Sequence, residues 1–196
     1  MGILSFIFAV AVQSHVYFAT GGFEFFRPWQ IEKALELLEE DVESLEVDHF
    51  EIFHHGNWRE VCDDLRQSDF SEPLILIGHS WGATAMADIS KCLEKDEIPV
   101  DLLITLDRVF KPGFSHVRSK IPDNVVQNFN FYQDKAWFFA GRSAHRREDQ
   151  SLRGIKNIRV EPSAGFHPHD QMVLDLVETG VIKKLIQAQL ATFDAH

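Results

Sequence analysis

The chain has 196 residues and a mass of 22.5 kDa, and 45% of its residues are hydrophobic and 25% charged, which is typical of a compact globular protein and excludes a disordered or fibrous chain. Its formal net charge of -11 would repel a phosphate backbone, so we predict no nucleic-acid partner. The two cysteines, Cys62 and Cys92, are too few for a disulfide framework, and no metal-ligand spacing surrounds them.

The N-terminus begins with an apolar run at residues 3–12, which is as long as the core of a signal peptide. The run is too short to cross a bilayer, so we predict no stable membrane span. No Lys or Arg precedes it, because the first basic residue is Arg27, whereas export signals carry a positive leading segment. Residues 1–14 are therefore interpreted either as a hydrophobic lead-in to the first strand of a cytoplasmic protein, which we favour, or as the signal peptide of an exported or periplasmic one.

Residues 15–196 are predicted to form a single domain in which strands and helices alternate. Apolar and β-branched runs predict strands at 16–20, 47–53, 73–77, 100–106, 125–132 and 155–160. Helices are predicted at 31–45, after Pro28, and at about 58–67, 81–95 and 171–191. Because strands separated by helices imply right-handed crossovers, the predicted fold class is α/β, a three-layer α/β/α sandwich with a mostly parallel sheet.

A G-x-S-x-G motif, GHSWG, lies at positions 78–82, directly between a predicted buried strand and a predicted helix. In this context the turn is so sharp that side chains two residues before or after the serine would collide with the chain, which accounts for Gly78 and Gly82. The hydroxyl of Ser80 is then presented at the carboxyl edge of the sheet, where it can act as a nucleophile. The alternative is a tight glycine turn that contains an ordinary serine.

A nucleophilic serine needs a histidine base and a carboxylate that orients it, and in this arrangement both follow the serine in the chain. Two aspartates at strand ends qualify: Asp107 ends the strand at 100–106, and Asp134 follows the strand at 125–132. We favour Asp107, because a buried apolar strand ends on it. Asp134 lies in a polar turn that would suit any solvated loop.

Two histidines near the C-terminus compete for the role of base. His169 directly precedes the last predicted helix, so its ring can point back over the sheet edge, and we favour it. His167 is followed by proline, which restricts its backbone to extended conformations and suits a loop or substrate contact. A metal site formed by His167, His169 and Asp170 is the weaker interpretation, because no complete zinc motif accompanies them. We predict neither a metal nor a cofactor.

The oxyanion of an acyl-transfer reaction needs hydrogen-bond donors. We expect one from the backbone N–H of Trp81, the residue after the nucleophile, and a second from the loop after the first strand, at Gly22 and Phe23. A phosphate-binding loop is the alternative for this glycine pair, but neither G-K-[ST] nor a third glycine follows it.

Together these motifs resemble the α/β-hydrolase superfamily, in particular its small lipase-like and thioesterase-like members without a large cap domain. The resemblance extends from His15 onward. It includes GHSWGA, LITLD, NFNFYQ and the candidate histidine before the last predicted helix. It implies that the aspartate ending LITLD, Asp107, is the catalytic acid. Two positions depart from the usual pattern, Arg108 in place of proline and Trp81 in place of Leu or Met, and they leave the identity of the substrate open.

The sequence therefore predicts a serine hydrolase that cleaves a small-molecule carboxylic ester or thioester through an acyl-enzyme on Ser80, with a Ser-His-Asp triad and an oxyanion hole. One alternative is an interaction domain that keeps this fold but has a degraded site. The other is an amide-cleaving hydrolase with the same nucleophile.

Overall fold

A computed structural model describes residues 14–22, 29–68, 72–109, 120–135, 145–147, 153–163 and 167–193 of the chain. The strands in these ranges are β1 (His15–Thr20), β2 (His49–His54), β3 (Leu74–His79), β4 (Val100–Leu106), β5 (Lys120–Ile121), β6 (Val125–Tyr132), β7 (Arg146–Arg147) and β8 (Ile155–Arg159). The α-helices are α1 (Trp29–Glu43), α2 (Trp58–Leu65), α3 (Trp81–Glu94), α4 (Pro168–Glu178) and α5 (Val181–Phe193). Each of the six predicted strands is present.

The six longer strands form one sheet in the order β2-β1-β3-β4-β6-β8, and every neighbouring pair is parallel. The chain leaves β1 toward α1 and leaves β3 toward α3, and these two helices cover opposite faces of the sheet. The connections therefore change side between β1 and β3, and ligands bind at the carboxyl ends of the strands at such a point in open α/β sheets.

Successive side chains of the central strands point to opposite faces, and each face is covered by helices. Phe18 and Ile77 pack in the core under α1, α4 and α5, whereas Ala19 and Leu76 pack in the core under α2 and α3. The predicted three-layer α/β/α sandwich is thus confirmed. Within the described ranges, no helix combines the length and the apolar character needed to cross a bilayer.

The C-terminal helix differs from the prediction of one helix over 171–191. Two helices are present, α4 beginning at Pro168 and α5 ending at Phe193, and Gly180 lies between them with a φ of 68°. A residue in this left-handed region ends a helix, and glycine adopts it without steric cost. The prediction of a single helix was therefore wrong. The sequence favoured one helix because apolar residues continue at helical spacing on both sides of the break.

Cys62 of α2 and Cys92 of α3 form a disulfide bond. The sequence places both cysteines in helices but does not indicate that they pair, because their contact depends on the packing of α2 against α3. The bond lies in the core on the α2 and α3 face of the sheet, where Cys62 is fully buried.

Candidate active site

Ser80 lies in the sharp turn between β3 and α3. Its backbone has φ 58° and ψ -120°, a conformation that is rare for a residue with a side chain and costs about 1–3 kcal/mol. Neighbouring backbone holds it in place: the Ser80 N–H donates to the carbonyl oxygen of Leu106 at 2.9 Å, and the Ser80 carbonyl accepts from the N–H of Val109 at 3.2 Å. This is the conformation in which a G-x-S-x-G motif presents its serine at a sheet edge.

The two glycines of the motif allow the helix and the sheet to approach each other. A Cβ on Gly82 would lie 2.0 Å from the carbonyl oxygen of Ala19, and a Cβ on Gly78 would lie 2.5 Å from the carbonyl oxygen of Gly82. Both distances are far shorter than van der Waals contact with backbone atoms that cannot move aside. The prediction that these positions require glycine is confirmed.

The loop after β1 lies directly against the serine turn. A Cβ on Gly21 would be 2.7 Å from the Cβ and 3.2 Å from the Oγ of Ser80, and a Cβ on Gly22 would be 2.2 Å from the indole ring of Trp81. The expected oxyanion residues Gly22 and Trp81 are therefore neighbours at the sheet edge, and Trp81 is the first residue of α3, where the helix dipole favours negative charge. Phe23 lies outside the described residues.

Asp107 and His169 meet beside this turn. Asp107 follows β4, which pairs with β3 so that Leu106 is opposite His79. The Asp107 carboxyl is fully buried, and its Oδ2 lies 2.6 Å from Nδ1 of His169 in the first turn of α4. Because a carboxylate accepts, Nδ1–H donates, and the lone pair of the imidazole then lies on Nε2. An imidazole held in this tautomer can accept a proton from a hydroxyl.

The alternative acid, Asp134, and the alternative base, His167, do not form the contact between Asp107 and His169. The Asp134 side chain is 46% exposed and forms an ion pair with Arg159 at 3.0 Å. His167 is exposed and directly precedes α4, whose first residue is Pro168, and its side chain makes no capping hydrogen bond. The carboxyl that contacts the His169 imidazole is thus that of Asp107, from a strand end next to the serine turn.

Gln133 is a site residue that the sequence does not reveal as such. It directly follows β6, it is fully buried, and its Nε2 donates to Oδ2 of Asp107 at 2.6 Å. Its own Oε1 accepts from the backbone N–H of Lys135 at 2.6 Å, which orients the amide. The available signal was its position, because the residue after β6 lies beside the residue after β4 in a parallel sheet.

His79 and Asp170 complete the surroundings of the His169 ring. The rings of His79 and His169 are 4.4 Å apart between centroids, and Nε2 of His79 is 3.9 Å from Oδ1 of Asp170. Burial lowers the pKa of His79 well below its usual value, and the charge of His169 lowers it further, so His79 is neutral at pH 7. Burial raises the pKa of Asp170.

No protein-family model matches the sequence, and no curated protein matches it. Solved structures do resemble the chain. The esterase domain of a Rhodothermus marinus protein has a TM-score of 0.58 at 16% sequence identity, over 91% of this chain and 89% of that one. Est1E from Butyrivibrio proteoclasticus has a TM-score of 0.56 at 13% identity, over 92% and 89% of the two chains.

An α/β serine hydrolase without a lid from Xanthomonas campestris has a TM-score of 0.53 at 14% identity, over 90% of this chain and 84% of that one. At such identities the likeness concerns the fold, and function has to be argued from the site. Taken with the parallel sheet and the strand, turn and helix around Ser80, these likenesses show that the chain has the α/β-hydrolase fold.

Proposed function

We propose that this chain is a serine hydrolase that cleaves a carboxylic ester or thioester of a small molecule. In this proposal Ser80 is the nucleophile, His169 the general base and acid, and Asp107 the carboxylate that orients the imidazole. The observation that carries the proposal is the 2.6 Å hydrogen bond between His169 Nδ1 and Asp107 Oδ2, next to a serine in a strained turn on the adjacent parallel strand.

The proposed reaction begins when His169 Nε2 accepts the proton of the Ser80 hydroxyl as the oxygen attacks the substrate carbonyl. The imidazolium formed then donates this proton to the leaving alcohol or thiol, which leaves an acyl-enzyme. Water attacks the acyl-enzyme by the same route and restores the serine. The Asp107 carboxylate stabilises the positive charge on the ring.

The negative charge that develops on the carbonyl oxygen needs donors close to Ser80. In this proposal the Trp81 N–H is one of them, because it is the first amide of α3 and lies at the positive end of the helix dipole. The loop at Gly22 supplies the second. The position of Gly21 supports this assignment, since a Cβ on Gly21 would lie 3.2 Å from the reacting oxygen of Ser80.

We propose an ester or thioester because two structures with this fold are named esterases. Cleavage of an amide would require more effective proton donation by the same residues, because the leaving amine must be protonated before it departs.

A fluorophosphonate probe tests the nucleophile directly. We expect one label on the wild-type chain and none on Ser80→Ala. Ser44→Ala is the matched control, because the Ser44 hydroxyl donates to the carbonyl oxygen of Asp41 at the end of α1 and should not affect labelling. A folded wild-type chain that takes no label, or a Ser80→Ala chain that still does, would contradict the proposal. A panel of p-nitrophenyl esters, acyl-thioesters and anilides then ranks the bonds cleaved.

A further inference from the structure

A cluster of two histidines and one aspartate lies beside the serine turn. One ring nitrogen each of His79 and His169 and one carboxylate oxygen of Asp170 all lie within 4.8 Å of one another. The three side chains come from two elements, the end of β3 and the first turn of α4. All three are at least 85% buried, with side-chain exposures of 5%, 12% and 14%.

The proposed reaction uses neither His79 nor Asp170 of this cluster. Nε2 of His79 is buried and has no hydrogen-bond partner among the described residues. Oδ1 of Asp170, at 3.9 Å, is too far away for a hydrogen bond. Buried ring nitrogens are normally paired, and this one lies 3.9 Å from a carboxylate oxygen and beside a second imidazole ring, where a bound ion would pair it.

We infer that His79, His169 and Asp170 form a binding site for a zinc ion. Two imidazoles and one carboxylate are a ligand set that Zn²⁺ accepts, with bonds of about 2.0–2.2 Å. Ligand atoms of a tetrahedral zinc are then about 3.4 Å apart. The His79 Nε2 and Asp170 Oδ1 atoms are 3.9 Å apart and all three ligand atoms lie within 4.8 Å of one another, so zinc binding needs the side chains to close in by up to about 1.4 Å. A fourth position is left for water.

The nitrogen of His169 that serves the metal is Nε2, because Nδ1 donates to Asp107. A carboxylate on the far nitrogen of a ligating imidazole is the usual arrangement behind zinc, since it fixes the ring and raises its basicity. Asp107 therefore supports metal binding with the same hydrogen bond that supports catalysis.

Zinc at this site excludes ester hydrolysis, a consequence that rests on the proposed function. With its Nε2 lone pair bound to the metal, His169 cannot accept the Ser80 proton. Zinc is therefore a reversible inhibitor of the reaction rather than a cofactor for it.

Direct binding tests the site without reference to activity. Metal-free protein is titrated with zinc chloride against a chromophoric zinc indicator, which reports stoichiometry and affinity. We expect one ion per chain, and an affinity at least about tenfold weaker in Asp170→Asn and in His79→Gln. His49→Gln is the matched control, because His49 also lies beside a carboxylate, that of Glu51 at 3.6 Å, but at the opposite end of the sheet.

The two variants, His79→Gln and Asp170→Asn, differ in how strongly they could disturb folding. His79 lies in the serine turn, so His79→Gln is assessed only if its circular dichroism matches that of the wild type. Asp170→Asn keeps the shape of the Asp170 side chain and carries the test if the other variant unfolds. Zinc affinity that is unchanged in Asp170→Asn, or that is lost in His49→Gln instead, would overturn the site.

Activity provides the second readout. If the chain hydrolyses esters, we expect zinc to inhibit it, EDTA to restore it, and Asp170→Asn to need at least about tenfold more zinc for half inhibition. Hydrolysis that zinc does not affect overturns the metal site and leaves the proposed function standing. Stoichiometric zinc binding that depends on Asp170, in a chain that hydrolyses nothing and takes no fluorophosphonate label, supports the site and overturns the proposed function.

Discussion

At the scale of single residues, the Asp107 carboxylate is buried and its Oδ2 accepts from both His169 and Gln133. An asparagine in its place would present an amide that donates, and the imidazole would be held in the wrong tautomer. We expect Asp107→Asn to lower kcat for p-nitrophenyl ester hydrolysis by about 10⁴-fold while the chain stays folded.

Asp134→Asn is the comparison that checks this assignment. It removes a surface ion pair with Arg159, and such pairs contribute at most about 1 kcal/mol to stability. We expect its kcat to stay within about twofold of the wild type. If Asp134→Asn were the damaging change and Asp107→Asn the mild one, the acid would be misassigned.

Gln133 is a positioning residue for Asp107. Its amide donates to a carboxylate, and hydrogen bonds to charged groups contribute about 1.5–3 kcal/mol. Gln133→Leu removes the donor, so the carboxylate can turn away from His169, and we expect kcat to fall by about 10- to 100-fold with KM little changed. Steady-state kinetics separate the two constants. A rise in KM at constant kcat would instead place Gln133 in substrate binding.

At the scale of elements, the disulfide between Cys62 and Cys92 fastens α2 to α3, the helix that follows the serine turn. The bond spans 30 positions of the sequence. Closing a loop of this length lowers the conformational entropy of the unfolded chain, which stabilises the folded chain by about 3–4 kcal/mol. We expect the double variant Cys62→Ala, Cys92→Ala to lose about that much free energy of unfolding in urea. Dithiothreitol should destabilise the wild type and leave the double variant unaffected.

The elements around the site also hold two unusual backbone conformations in place. Ser80 and Asp107 both have positive φ, 58° and 43°, and both are held by hydrogen bonds to the neighbouring strand end, at Leu106 and Phe131. The sheet therefore stabilises two backbone conformations that would be unfavourable in an isolated peptide. Pairing of β3 with β4 places the backbones of these two residues next to each other at the same edge of the sheet.

At the scale of the whole molecule, two fully buried histidines make stability depend on pH. Burial lowers the pKa of His79 and of His145, and the charges of His169 and Arg108, respectively, lower them further. Below about pH 6.5 the unfolded chain binds a proton on each ring and the folded chain does not. The free energy of unfolding therefore falls with decreasing pH, by up to about 1.4 kcal/mol per pH unit for each histidine.

Two buried carboxyls change the free energy of unfolding with pH in the opposite direction. Burial raises the pKa of Asp101 and of Asp170, so above about pH 3.9 the unfolded chain loses these protons more readily than the folded one. Their contribution to stability is therefore lost as pH rises, and it partly offsets the effect of the histidines at acidic pH.

A variant isolates the histidine contribution. In His145→Asn the shorter amide can still meet Oδ1 of Asn128, which lies 3.0 Å from His145 Nδ1. Urea denaturation between pH 7.5 and 5.5 should show a pH slope below pH 6.5 that is smaller than that of the wild type by up to about 1.4 kcal/mol per pH unit. Equal slopes would show that His145 takes up its proton in the folded state.

The sequence by itself determined the strands, the layers and the serine turn. These depend on local patterns: apolar runs predict buried strands, and G-x-S-x-G after such a run leaves room only for a sharp turn with glycine at positions 78 and 82. It also limited the acid and the base to two residues each, because parallel strands bring their carboxyl ends to one edge. The catalytic roles of Ser80, Asp107 and His169 stay predictions.

Only the tertiary structure decided which side chains meet. Asp107 and His169 are 62 positions apart, and Asp107 and Gln133 are 26 apart. The pairing of Cys62 with Cys92 and the approach of Asp170 to His79 likewise depend on how helices pack on the sheet. Periodicity reports which face of an element is buried, but not the angle or register at which two elements meet, since many packings bury the same apolar surface.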